Sequence, residues 1–255
     1  MDSKIKKFYN VHEDGYIEKI IDHISKQENS NHDKNDIIEI VKKIYCDKYL
    51  KIDWFKLSNL RRWNFINASI RKIRSDKLEY LEIGVFRNEN FNQINCINKT
   101  SVDPDPKANA THKITSDEFF SKNKKKFDVI FIDGLHDYKQ CQTDAVNALK
   151  CLNANGYIFF HDFVPRNFLE EYTPRIVKIW TGDVWKVSIE LANTSGIEFS
   201  VILADHGLGI IKKINETVEY AYQNKQLEDL RFNHFLDLNK VVNYKDAEEA
   251  FGEFS

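Results

Sequence analysis

Four residues in the middle of the chain, Asp133, His136, His161 and Asp162, carry the side chains best suited to chemistry. They lie in F-D-V-I-F-I-D-G-L-H-D-Y (Phe127 to Tyr138) and G-Y-I-F-F-H-D-F-V-P (Gly156 to Pro165), each an apolar, β-prone run with polar residues at its carboxyl end. Neighbouring parallel strands lie under about 5 Å apart, so Asp133, His161 and Asp162 can converge on one point. Two carboxylates and an imidazole suit a divalent cation with open positions for a substrate oxygen. His136 follows at the expected start of a helix, and an ordinary imidazole pKa of about 6.5 suits a general base at neutral pH. In the competing reading Asp133 caps that helix, His136 is solvated and Asp162 sits in a turn before Pro165, so several polar strand ends coincide by accident. His12, His23, His32, His112, His206 and His234 show no comparable grouping and read as structural or exposed.

Two further strand ends stand upstream. In L-E-Y-L-E-I-G-V-F-R-N (Leu78 to Asn88), Glu82 precedes Gly84, and a glycine just after a strand permits a tight turn that brings backbone N–H groups close to a ligand. A dinucleotide site would carry G-x-G-x-x-G here; this loop has one glycine, which argues against NAD, and the acid before it suits a cationic ligand. Asp103 ends the next strand in S-V-D-P-D-P, where an acid can accept hydrogen bonds from a ribose diol or serve as an ordinary turn aspartate.

The elements that must hold these residues follow from the pattern. From Leu78 onward, short strands alternate with helices, the mark of a mostly parallel α/β sheet whose ligands bind at the carboxyl ends of the strands. The strands fall at about 79–83, a run ending at Asp103, a short piece near 112–115, 128–132 and 157–160. Helices start near Asn88, at Ser116-Asp117-Glu118 and after Asp133. Phe91, Ile94 and Ile97 form the buried face of the first of these. Beyond Pro165 one or two helices carry Ile176, Ile179 and Trp180, then Val184, Val187, Ile189 and Leu191. Phe199–Leu203 and Leu208–Ile211, joined around Asp205-His206-Gly207, read as a closing β-hairpin. Residues 1–76 read as a helical cap, with Tyr16, Ile17, Ile20, Ile21 and Ile24, and then Ile37, Ile38, Ile40, Val41 and Ile44, at helical steps around a polar loop at 27–35. Residues 77–213 form the α/β core and 214–255 a charged helical tail. The cap either packs on the sheet or shapes a substrate pocket.

Composition narrows the function classes. A chain of 255 residues with 42% hydrophobic and 30% charged residues is globular. A net charge of -2 gives no electrostatic case for nucleic acid. No signal peptide and no run near the roughly 18 apolar residues of a membrane span is present. Cys46, Cys96, Cys141 and Cys151 have no CxxC spacing and read as reduced thiols, so the expected compartment is the cytoplasm. Trp54, Trp63, Phe232 and Phe235 suit a homo-oligomer interface as readily as a core.

The ordered motifs Y-L-E-I-G-V-F-R-N, S-V-D-P-D-P, I-D-G-L-H-D-Y and H-D-F-V-P make the chain, over about 78–211, resemble the class I S-adenosylmethionine-dependent methyltransferases. It is most similar to a bacterial branch marked by I-D-G-x-H-x-Y and H-D-x-x-P, associated with sugars and surface polysaccharides. Asp183-Val184-Trp185-Lys186 and Gly207 to Ile211 are also similar to that branch. The resemblance implies a Rossmann-like, mostly parallel seven-stranded sheet whose last strand is antiparallel. It implies S-adenosylmethionine as cofactor, with Glu82 and Gly84 on its methionine side, Asp103 on its ribose, Ser116 and Asp117 near its adenine, and Asn88 where the loop usually has a later glycine. Asp133 faces the cofactor as well. In the related metal-using O-methyltransferases the places of Asp133, His161 and Asp162 hold magnesium, and the place of His136 is the general base. His161 stands where an acid would favour a hard cation, so the resemblance implies Mg²⁺ or another divalent cation less firmly than it implies the methyltransferase fold.

The resulting expectation is an O-methyltransferase for a small polar acceptor, a sugar or a nucleotide-linked surface-polysaccharide precursor. Two other classes stand beside it: an NAD or nucleotide-sugar oxidoreductase on a similar sheet, and a non-catalytic binding module that keeps the fold.

Overall fold

The computed structural model describes residues 9–11, 21–22, 34–46, 48–75 and 77–254. Of the apolar steps expected between Tyr16 and Ile24, only Ile21 lies within them. The second run is a helix, α1 (Lys34–Ile44), which buries Ile37 and Val41. A short antiparallel pair, β1 (Tyr9–Val11) with β2 (Lys48–Leu50), flanks it. Then come α2 (Trp54–Leu57) and α3 (Arg62–Ile73), the latter opened by Asn64 Oδ1 accepting the Arg61 N–H at 2.8 Å.

The sheet has seven strands: β3 (Glu79–Ile83), β4 (Asn98–Val102), β5 (Phe127–Ile132), β6 (Leu152–Phe160), β7 (Ile197–Leu203), β8 (Leu208–Lys213) and β9 (Tyr244–Asp246), in the order β4-β3-β5-β6-β8-β7-β9. All run parallel except β8, which pairs antiparallel with both β6 and β7. The mostly parallel seven-stranded fold and the closing hairpin are as expected, but the edges are built differently. The segment expected as a strand near 112–115 makes one bridge, between Val102 and His112. His112 makes two backbone bonds there, to the Ser101 carbonyl at 2.9 Å and from the Asp103 N–H at 3.1 Å, and just before it the hydroxyls of Ser101 and Thr111 take each other's backbone N–H, at 2.9 and 3.3 Å. The seventh strand is instead β9, from the tail expected to be helical, docked parallel to β7.

Period-two alternation distributes the strands between two cores. Leu81, Ile83, Ile130, Ile132, Ile158 and Phe160 face one, and Tyr80, Val129, Phe131, Tyr157 and Phe159 the other. The first is covered by α6 (Tyr138–Cys151) and α8 (Trp185–Ala192); the second takes Phe65 and Ile66 of α3 and Ala247 and Ala250 of α11 (Ala247–Gly252). Phe65 packs edge-on to Phe251 at 5.6 Å, which ties the N-terminal layer to the tail. Trp54, Phe232 and Phe235 are core residues here, and Trp63 is half-buried.

Other local expectations shift. The helix after β3, α4 (Glu89–Gln93), ends before Ile97, which is 94% exposed. Ile176 to Trp180 form bends between α7 (Phe168–Glu171) and α8. Among the described residues no disulfide joins Cys46, Cys96, Cys141 and Cys151. Among the described residues no helix is long and apolar enough to cross a membrane.

Candidate active site

Register sets the site. Ile83 pairs with both Val102 and Ile132, and Ile132 pairs with Phe160, so four strands end on one row. The next residues along that row are Gly84, Asp103, Asp133 and His161, which puts the residues singled out in the sequence side by side. The Asp133 N–H donates to the Ile83 carbonyl at 2.9 Å, and the Gly84 N–H to that of Val102 at 2.8 Å. Gly84 has φ +80°, and a Cβ there would lie 2.1 Å from the Asp133 carbonyl oxygen. The glycine is therefore required by the strand-end loop itself, before any ligand is considered.

Asp103 holds the loop after Gly84. Its Oδ2 accepts the N–H groups of Val85 and Phe86 at 3.0 and 2.9 Å, and its Oδ1 accepts that of Asp105 at 2.9 Å. It is thus the turn aspartate of one sequence reading, while its carboxylate still lines the cavity expected of the other.

That cavity, of about 650 Å³, runs along the row. Glu82, Gly84, Asp103, Ser116, Asp133, His136, His161 and Asp162 all line it; Asn88 and Asp117 do not. Asn88 caps α4 at φ 60° and donates its side-chain N–H to the Asn109 carbonyl at 3.0 Å. Asp117 receives Gln140 Nε2 at 3.2 Å.

At one end the carboxyls form no ion pair among the described residues. Glu82 is buried, accepting Tyr80 Oη–H at 2.5 Å and Asn90 Nδ2 at 2.8 Å. Burial pushes its pKa to about 7 despite these hydrogen bonds. Asp144, in α6, is raised to about 6 by burial, with Gln140 Nε2 at 3.2 Å. Sequence reading missed Asp144, although an acid on the buried stripe with Cys141, Ala145 and Ala148 was a visible signal.

At the other end carboxylates and bases interlock. Asp133 Oδ1 lies 3.4 Å from both His136 Nε2 and His161 Nδ1. Asp162 Oδ2 lies 3.1 Å from His161 Nδ1 and 3.3 Å from His136 Nδ1. Asp162 reaches inward from a left-handed backbone, φ 64°, a conformation uncommon for a non-glycine residue. Burial alone would raise both carboxyls, but the imidazoles, and at Asp133 Arg62, outweigh it and hold them low. The same contacts outweigh burial at His136 and His161 and raise both imidazoles. The helix after β5 begins at Tyr138, capped by Asp137, so His136 sits in the preceding loop and Asp133 is left free of capping. Among the described residues, Asp133, His136 and Asp162 form one group able to hold a metal ion, with ligand atoms within 4.8 Å of one another. His161, the third ligand expected from sequence, faces the same two carboxylates from an enclosed position, with Nε2 3.7 Å from Asp205 Oδ1.

Three members come from remote segments. Arg62, in the first turn of α3, places Nη1 3.0 Å from Asp133 Oδ2 and Nε 3.0 Å from Asp205 Oδ2. Its only sequence signal was a cation at a helix start, where the helix dipole disfavours it. Trp180 stacks on His136 with ring centroids 5.0 Å apart, and its carbonyl lies 3.0 Å from His136 Nδ1. His206 packs on His161 at 5.9 Å, and burial keeps it neutral, its pKa down to about 4.

Residues 76–163, which contain all four residues of this row, match the family model for a methyltransferase domain. Over this segment the chain is similar to a methyltransferase domain. No curated protein matches the chain. Among solved structures it is similar to the S-adenosylhomocysteine-bound methyltransferase PaMTH1 of Podospora anserina, at 14% identity over 79% of this chain and 97% of that one, TM-score 0.46. It is also similar to the O-methyltransferase TomG of Streptomyces achromogenes, involved in tomaymycin synthesis and in complex with SAM, at 12% identity over 77% and 96%, TM-score 0.43. A third is an O-methyltransferase from Bacillus cereus in complex with S-adenosylhomocysteine, at 14% identity over 77% and 99%, TM-score 0.39.

Beyond the matched region, the fold is locked by D-V-W-K (Asp183 to Lys186). A Cβ on Gly182 (φ +64°) would lie 1.8 Å from the His136 carbonyl oxygen, so this glycine seats the His136 loop. Asp183 Oδ1 accepts the Tyr138 N–H at 2.8 Å, and its Oδ2 pairs with the fully buried Lys186 at 2.7 Å. Trp185 is wholly buried. The motif is structural, and its task is to fix the loop that carries His136.

Proposed function

We propose that this chain is an S-adenosylmethionine-dependent O-methyltransferase for a small polar acceptor, a sugar or a nucleotide-linked surface-polysaccharide precursor. The observation that carries the reading is the division of one cavity. Glu82, buried and forming no ion pair among the described residues, stands at one end, and an imidazole within reach of two carboxylates stands at the other. S-adenosylmethionine is cationic at its sulfur and its amine, so it supplies the charge that the Glu82 end lacks. When bound it provides an activated methyl group, and the chain needs only to align the reactants and remove a proton.

Glu82 and the Gly84 turn receive the methionine side, Asp103 offers its carboxylate to the ribose diol, and Ser116 lines the adenine side. Asn88 and Asp117 act indirectly, through the α4 cap and through Gln140. His136, held by Trp180 and Asp162, takes the acceptor hydroxyl proton as that oxygen gains the methyl carbon. Because its pKa is raised, turnover requires pH above the ordinary imidazole range. Asp133 and Asp162, with an imidazole as third donor, have the chemistry to hold a divalent cation, and imidazole suits a softer ion than Mg²⁺. A cation held there lowers the pKa of a hydroxyl beside it.

The experiment is calorimetric titration with S-adenosylhomocysteine, with Mg²⁺ present and then with EDTA. Micromolar binding is expected in both buffers, and acceptor screening then begins with sugars and nucleotide sugars. Absence of binding in both overturns the proposal.

A further inference from the structure

We propose that Arg62 is the resident counter-cation of the site: it shares Asp133 with any divalent ion and so sets how weakly the site takes one. The inference rests on the cation-site reading above and concerns the chain's own arginine.

The geometry divides Asp133 between two claimants. Its Oδ2 is 3.0 Å from Arg62 Nη1, whereas its Oδ1 faces the two imidazoles. An ion held by Asp133, His136 and Asp162 therefore shares one carboxylate with a guanidinium whose charge does not titrate away. Arg62 also cannot easily leave. Its backbone N–H donates to Asp205 Oδ2 at 3.1 Å, its Nε lies 3.0 Å from the same oxygen, and Phe65 and Ile66 in the next part of its helix are fully buried. The contact to Asp205 anchors the start of α3, and a cation there opposes the helix dipole, so the carboxylates are what hold it. The side chain is only 20% exposed, which leaves its repulsion with an incoming cation poorly screened.

The role of His136 gives the arrangement a purpose. An imidazole that ligates an ion has committed its lone pair and cannot accept a proton. With Arg62 compensating Asp133, His136 remains available as the base. Arg62 is thus a positioning residue: it acts through Asp133 on the charge that the base experiences.

The test is Mn²⁺ binding, followed by electron paramagnetic resonance, in wild type, R62K and R62Q. Arg62→Gln removes the competing charge, and Mn²⁺ is expected to bind about tenfold tighter or more than in wild type. Arg62→Lys keeps the charge but cannot bridge Asp133 and Asp205 at once, so its affinity should lie between the two. Asp133→Asn in the R62Q background should abolish binding. If R62Q binds Mn²⁺ no tighter than wild type, the inference is overturned. If R62Q does not fold, equal affinity in R62K and wild type overturns it as well. S-adenosylhomocysteine titrated separately tells the two proposals apart. Normal binding without the Mn²⁺ order overturns Arg62 alone, and the Mn²⁺ order without it overturns the methyltransferase reading alone.

Discussion

Glu82 and Asp133 stand at the ends of adjacent strands on the wall of one cavity, yet the same burial leaves them in opposite states. Glu82 meets a phenol and an amide, and its pKa climbs to about 7. Asp133 meets a guanidinium and two imidazoles, and its carboxyl is held well below the usual range. The strand end fixes where a carboxyl stands, and residues from other segments decide its charge. One end of the cavity is open to a cationic ligand, and the other already holds its own cations.

The largest expected effect is at the compensated end. His136→Ala should lower kcat by about 10²–10⁴ while leaving S-adenosylhomocysteine affinity within roughly twofold. Near-normal turnover in a methyl-transfer assay would remove the functional contrast between the ends. Gly84→Ala should damage both ends together, because the new Cβ collides with the Asp133 carbonyl at a left-handed backbone position. Its melting temperature should fall by at least about 5 °C, and cofactor affinity should fall with it. Asp103→Ala strands the Val85 and Phe86 N–H groups, and calorimetry should show S-adenosylhomocysteine affinity weaker by roughly 10- to 100-fold with the proton chemistry at His136 untouched.

The smallest effect is the sharpest test of the contrast. Between the ordinary carboxylate value of 4.5 and about 7, folded Glu82 keeps a proton that the unfolded chain has released. Its contribution to stability therefore falls as pH rises through that window. Asp133, Asp162 and Asp205 have the opposite sign: their stabilisation is present above the usual carboxylate range and is lost as pH falls through their lowered values. A cationic ligand favours ionised Glu82, so S-adenosylmethionine affinity should rise roughly tenfold from pH 6 to pH 8. Glu82→Gln should flatten that rise without lowering the melting temperature at pH 8. A pH-independent affinity in wild type would show that Glu82 does not face the ligand's charge.

The legible part of this molecule is the part written in short-range pattern. Apolar runs ending in Glu-x-Gly, Asp, Asp and His-Asp located β3 to β6 and their common edge, because period two and parallel pairing suffice to align them. Arg62 and Trp180 were not legible, since they reach the site across 71 and 44 residues of chain, and the pattern around them describes only their own helix or loop. The strand expected near 112–115 shrinks to one bridge at His112, beside which the Ser101 and Thr111 hydroxyls take each other's backbone N–H. Strand β9 escaped notice because three residues at a sheet edge, inside a charged tail, carry no periodic signal. Asp144 could have been found, being an acid on an apolar helix stripe.

The two glycines pressed on the Asp133 and His136 carbonyls have a consequence for descent. Gly84 and Gly182 grip main chain, so the loop between β5 and α6 keeps its path whatever side chains it bears. Mutation can exchange an acid for an amide, or an imidazole for another base, without rebuilding the ledge on which they stand. Such a ledge makes the reactive groups interchangeable parts on a fixed mount.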